Sequence, residues 1–142
     1  MARPLKVFII AGEPSGDKLG GNLMQGLSDL TKGQVEFYGV GGEMMQAAGL
    51  TSLFDMSDLT IMGLLEVIPS IPKIKARINQ TVKAAKETNA DVFITIDSPD
   101  FCLRVGKQVR LQPNPPYCIH YVAPSVWAWR PDRAAKMAKS VD

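Results

Sequence analysis

Glu13, Ser15 and Asp17 occupy alternate positions of one short loop, Ala11-Gly-Glu-Pro-Ser-Gly-Asp17, which directly follows the apolar run Val7–Ile10. Carboxylate oxygens accept hydrogen bonds, and a serine hydroxyl both accepts and donates, so Glu13 and Ser15 suit the hydroxyls of a sugar or an alcohol. A phosphate suits them less. Dinucleotide loops read G-x-G-x-x-G and triphosphate loops read G-x-x-x-x-G-K-[ST], whereas here the glycines fall at Gly12, Gly16 and Gly20 and a carboxylate lies among them. The alternative is a plain strand-to-helix turn, with glycines for its geometry and Asp17 or Ser15 as helix cap.

Three further stretches carry reactive or recognition groups. The run Val92–Ile96 ends in Asp97-Ser-Pro-Asp-Phe101. A carboxylate at a strand end, with a low-dielectric wall behind it, is a candidate general base. Asp100 reads as the cap of a helix beginning near Phe101, with a catalytic role as the alternative. Gly39-Val-Gly-Gly42 follows the run Val35–Val40, and its glycines allow either close approach to a ligand or a tight connection. The run Cys118–Val122 leads into Tyr121-Val-Ala-Pro-Ser-Val-Trp-Ala-Trp-Arg130, where both tryptophans of the chain stand one residue apart. On a loop such rings stack on sugar faces or cover acyl chains; otherwise they are core. His120 reads as a satisfied buried histidine.

These residues need a scaffold, and the apolar pattern supplies one. Short β-rich runs alternate with helical spacing, which predicts an α/β protein with a Rossmann-like parallel sheet and helices on both faces. The first helix is expected over Asp17–Leu30, with Leu19, Leu23 and Leu27 inward and Gly33 closing it; a short helix is expected over Glu43–Ala48, stopped by Gly49. Between Met56 and Lys86 an apolar stretch (Ile61, Met62, Leu64, Leu65, Val67, Ile68, Ile71) precedes a basic helix. Ile74, Ile78, Val82 and Ala85 line one face of that helix, and Lys73, Lys75, Arg77, Lys83 and Lys86 occupy the rest. The pairing suits contact with anionic lipid or a lipid-bearing substrate; the alternative is core beside a solvated face.

Composition sets outer bounds. A chain of 142 residues, 46% hydrophobic and 21% charged, is one globular domain at most, and a net charge of +2 gives no argument for a nucleic-acid partner. Cys102 and Cys118 have no metal-like spacing, there is one histidine, and the thiols read as small buried apolar groups in a reducing compartment. The apolar start, Val7–Ile10, is too short for a signal peptide and is expected as a buried strand. No stretch reaches the roughly 20 apolar residues of a membrane-spanning helix.

Taken together, Ala11–Asp17, Gly39–Gly42 with Met45 and Gly49, Ile61-Met-Gly63 with Glu66-Val67, Ile96–Phe101 and His120–Arg130 resemble the signature blocks of the lipid-A-disaccharide synthases over nearly the whole chain. The resemblance implies the amino-terminal half of a two-domain B-type glycosyltransferase, peripheral on the cytoplasmic face of the inner membrane of a Gram-negative bacterium. It implies transfer of a diacylglucosamine unit from UDP-diacylglucosamine to diacylglucosamine 1-phosphate, with inversion, releasing UDP. Carried over singly, Asp97 matches the acid that deprotonates the acceptor hydroxyl, and Glu13 matches the acid of the first loop, which holds sugar hydroxyls or helps orient the acceptor. Met62 and its neighbours Ile61, Leu64, Leu65, Val67, Ile68 and Ile71 match the acyl-chain and membrane segment. The candidate substrate-binding set is completed by Gly12, Ser15, Gly16, Gly41, Gly42, Asp100, Ser125, Trp127 and Arg130. No metal or cofactor is implied, because such transferases stabilise the leaving nucleotide with helix dipoles and basic side chains.

Two departures stand out. Ala123 replaces a serine common in that family, and family members are well over twice this length. The UDP-sugar domain is therefore expected to follow Asp142, the helix Asp132–Ser140 to feed a further strand, and the 142 residues alone to transfer no sugar. A dinucleotide-binding enzyme is disfavoured by the missing G-x-G-x-x-G and by Tyr38-Gly39 where an acid would end the second strand. A non-catalytic lipid-surface or acceptor-binding module is the remaining alternative.

Overall fold

The computed structural model describes residues 3–64, 72–122 and 139–142, giving only the backbone path for 62–64. Four strands, β1 (Leu5–Ala11), β2 (Val35–Val40), β3 (Val92–Ile96) and β4 (Tyr117–Tyr121), alternate with helices α1 (Pro14–Leu30), α2 (Glu43–Ala47), α3 (Ser57–Leu64), α4 (Pro72–Thr88) and α5 (Pro99–Arg110). All pairings are parallel and the order is β2-β1-β3-β4. Because β1 lies between β2 and β3, the chain reverses its winding direction there. The crevice of an open α/β sheet forms at that point, outside the carboxyl ends of β1 and β3.

The central strands are buried on both faces, which is why they read as continuous apolar runs rather than alternating ones. Phe8, Ile10 and Phe93 pack with Ile78, Val82 and Ala85 of α4 and with Cys102, Val105 and Val109 of α5. The Phe8 and Phe93 rings stack, with centroids 5.6 Å apart. Val7, Ile9, Ala11, Ile94 and Ile96 pack on the other face with Met24 of α1 and Met45 of α2.

Local boundaries differ from the sequence expectation for identifiable reasons. α1 begins at Pro14 rather than Asp17, with Glu13 as N-cap; proline has no amide to lose in a first turn. Its buried strip is Gly16, Asp17, Gly20, Gly21 and Met24, while Leu19, Leu23 and Leu27 are only half-buried, because the glycines let α2 approach closely. α5 likewise begins at Pro99 with Ser98 as N-cap, so Asp100 lies in the first turn and is not the cap. Gly39 belongs to β2: its φ is +133° and a built Cβ would stand 1.9 Å from the Ile9 carbonyl oxygen, so only glycine fits. The start of the expected apolar stretch, from Ile61, lies in the helix α3. β4 starts and ends one residue early, leaving Val122 outside it.

Residues 140–142 run back beside β4. The Asp142 N–H donates to the Cys118 carbonyl at 2.8 Å, and the Cys118 N–H donates to Asp142 Oδ2 at 2.7 Å. Lys139 and Ser140, expected at the end of a helix, form a turn, and the rest of that expected helix lies outside the described residues. Among the described residues no helix is long and apolar enough to cross a membrane.

Candidate functional site

The loops after β1 and β3 meet over the switch point. A Cβ built on Gly12 would lie 2.6 Å from Ser98 Oγ and 3.3 Å from Leu59 Cβ, so the first loop is pressed between the β3–α5 turn and α3. In that turn Asp97 and Ser98 both adopt left-handed backbone, with φ of 49° and 42°. Just beyond the end of β4, Val122 has a φ of 69°. Such conformations cost of order 1–3 kcal/mol each in residues with a Cβ, most for a β-branched one, and they cluster where geometry serves a ligand. Asp97 is half-buried and its N–H donates to the Tyr121 carbonyl at 3.0 Å, so its backbone is pinned to the neighbouring strand.

Glu13 and Ser15 are exposed at the start of α1, and Gly16 is buried beneath them, 3.4 Å from Ala11 Cβ as measured from a built Cβ. The structure thus brings Gly12, Glu13, Ser15 and Gly16 to the same edge as Asp97. Asp100 is exposed one turn into α5. The second glycine turn is joined to the first loop by Asp17. Its Oδ1 accepts from the Gly42 and Met45 amides at 2.9 and 3.0 Å, and its Oδ2 accepts from the Met44 amide at 3.0 Å. The Gly41 amide donates to Ser52 Oγ at 3.1 Å. The amides of Gly41 and Gly42 are therefore already engaged, and Asp17 caps α2 rather than its own helix. Sequence reasoning missed this clamp, although Asp17, Gly20, Gly21 and Met24 stand at i, i+3, i+4 and i+7, the spacing of one buried helical face.

The Asp97 carboxylate acts electrostatically on His120 and Cys102. His120 Nδ1 lies 2.7 Å from Thr95 Oγ1, its register partner on β3, while its Nε2 is buried without a hydrogen-bond partner among the described residues. Burial lowers the imidazole below its ordinary range, with the Asp97 carboxylate and the Val122 backbone pulling the other way. The expectation of a fully satisfied histidine therefore holds for one ring nitrogen only. Cys102 and Cys118 are buried free thiols; burial pushes Cys102 far up and Cys118 up to about 11, so neither supplies a thiolate near neutrality.

α3 closes the crevice on the side of the first loop. Thr60 Oγ1 donates to the Gly12 carbonyl at 2.7 Å. Asp58 accepts from Arg77 Nε and a terminal Arg77 nitrogen at 3.0 and 2.5 Å and pairs with Lys73 at 3.4 Å. Arg77 also lies 4.5 Å over the Phe54 ring, so two cations expected on the solvated face of α4 are bound to α3 instead. Ile61 is exposed on α3. The side chains of Met62 and Leu64, and all of Leu65, Val67, Ile68, Ile71, Ala123, Ser125, Trp127 and Arg130, lie outside the described residues.

A doubly wound parallel sheet whose polar loops converge at the β1/β3 switch point defines a Rossmann-like α/β protein with its ligand crevice at that edge. The family model for lipid-A-disaccharide synthetase matches residues 7–142. Lipid-A-disaccharide synthases of Rhodospirillum centenum and Ruegeria pomeroyi are 52% and 55% identical over 140 residues, covering 99% of this chain but 35% and 34% of their own. That of Azotobacter vinelandii is 44% identical over 142 residues, all of this chain and 37% of its own. The chain belongs to the lipid-A-disaccharide synthetase family, and it spans about a third of the length of the curated relatives it matches.

Proposed function

We propose that these residues form the acceptor side of a glycosyltransferase of lipid A biosynthesis, with Asp97 as general base. The observation that carries this reading is the placement of Asp97, half-buried on strained backbone at the end of β3, next in sequence to Ser98, whose side chain packs on Gly12 of the first loop. In the reaction, the Asp97 carboxylate takes the proton of the acceptor's 6-hydroxyl as that oxygen attacks the anomeric carbon of UDP-diacylglucosamine from the opposite face. The bond to the nucleotide breaks, UDP leaves with the electron pair, and the new linkage to diacylglucosamine 1-phosphate is β-1,6. Glu13 and Ser15 hold sugar hydroxyls, Gly12 and Gly16 let backbone approach the ligand, and Gly41 and Gly42, their amides engaged by Ser52 and Asp17, shape the second turn beside it. Asp100, Ser125, Trp127 and Arg130 complete the contacts. The segment containing Ile61, Met62, Leu64, Leu65, Val67, Ile68 and Ile71 takes acyl chains at the cytoplasmic face of the inner membrane. No metal or cofactor enters this reading, and the donor diphosphate belongs to a second domain.

The test is UDP release in a protein of the relatives' full length that begins with these residues. Asp97→Asn is expected to lower turnover about 10²–10⁴-fold with the fold intact, the usual contribution of a general base. Parent-like turnover at matched circular dichroism would remove Asp97 from the mechanism. Residues 1–142 alone are expected to release no UDP, because the donor carbon must be brought within about 3–3.5 Å of the acceptor oxygen.

A further inference from the structure

Three parts of the molecule meet at the backbone of Gly12: α3, the β3–α5 turn and the start of α1. The Gly12 carbonyl lies beyond the last residue of β1 and before the first hydrogen bond of α1, which joins the Asp17 N–H to the Glu13 carbonyl at 2.9 Å. It therefore falls between two regular elements, and no backbone N–H among the described residues donates to it. The hydroxyl of Thr60 does, at 2.7 Å. Leu59, one residue earlier, and Ser98 both crowd the place that a Cβ on Gly12 would take.

α3 is itself firmly held. Asp58 is bound to Arg77 and Lys73 of α4, and the Arg77 guanidinium is fixed further by Gln80 Oε1 at 2.8 Å and by the Phe54 ring beneath it. A bond from Thr60 thus anchors the first loop to a braced helix rather than to a mobile one. The same helix leads directly into the apolar segment read as the acyl-chain contact.

We propose that Thr60 is a positioning residue: by holding the Gly12 carbonyl, its hydroxyl sets the first loop against Asp97, so that an acceptor lipid lying along α3 presents its sugar hydroxyl to the base. The inference rests on the reading of Asp97 given above. Loss of the hydroxyl leaves α3 and the sheet in place but frees the loop. The effect belongs to the chemical step, because small misplacements of reacting groups are costly in rate while lipid and donor contacts elsewhere persist.

The experiment compares Thr60→Val, which keeps shape and removes the donor, with Thr60→Ser, which keeps the donor. Asp97→Asn is measured alongside in a protein of the relatives' full length. Thr60→Val is expected to lower kcat about tenfold or more with little change in KM for the UDP-sugar, and Thr60→Ser to recover kcat to within about twofold. Amide exchange at Glu13, Ser15 and Gly16 is expected to quicken in the valine variant alone. Should valine not be tolerated, Thr60→Ala makes the same comparison. Parent-like kcat in the folded valine variant, or serine as slow as valine with exchange unchanged, would overturn the proposal. Parent-like kcat in Asp97→Asn would instead overturn the reading of the base, and the exchange measurement would still decide whether Thr60 orders the loop.

Discussion

Two acids far apart on the chain, Asp17 and Asp97, have different surroundings. Asp17 is 6% exposed and spends its carboxylate on three amides of α2. Asp17→Ala would strand those amides and is expected to cost about 1–3 kcal/mol in denaturation experiments. Asp17→Asn should cost less, because an amide oxygen can keep the Gly42 and Met45 bonds while its NH₂ group faces the Met44 amide. Asp97 is half-buried and acts on His120 through space. That histidine should titrate by NMR below its ordinary 6.5, and Asp97→Asn should move the midpoint lower still, since the carboxylate is one of the influences that raise it. A midpoint unchanged by the substitution would mean that the two groups do not face each other. Asp97 was legible in the sequence because a strand end is a local pattern. Thr60 was not: its bond to Gly12 spans 48 residues, and no spacing along the chain foretells it.

At the level of elements, the runs that form β1, β2 and β3 were readable because burial on both faces demands unbroken apolar sequence. Helix starts were misjudged by three residues at α1 and two at α5, since a proline in the first turn was read as loop rather than as helix. α3 escaped notice because its apolar residues show no sidedness, while the contacts that define it come from Asp58 and Thr60. The Asp58 latch has a pH signature. Hydrogen bonding to Arg77 holds Asp58 below its ordinary 3.8, so the folded state binds this proton less readily than the unfolded chain does. Stability from the latch is therefore fully present above that ordinary value and is lost as pH falls through the lower folded-state value. Acid unfolding of Asp58→Asn should accordingly be less steep than that of the parent below about pH 4, where the unfolded carboxylate titrates. Equal slopes would show that Arg77 and Asp58 are not paired in solution.

For the whole molecule, the sheet order was only partly legible: alternation announced parallel strands and two-sided cover, but the adjacency of β1 and β3 that creates the crevice comes from the register itself. The outermost strand, β4, has a further consequence. Cys118 turns its amide and carbonyl outward to Asp142, and by the alternation of a strand the backbone groups of His120 follow to the same side. There they stand beside Ile119 and Tyr121, which are 41% and 42% exposed. Strand backbone flanked by large apolar side chains is a template for an extended chain, and at Cys118 the Asp142 backbone and carboxylate fill that place. Asp142 thus shields one end of the β4 edge, and Asp142→Ala is expected to make these residues pair strand to strand more readily, as read by light scattering.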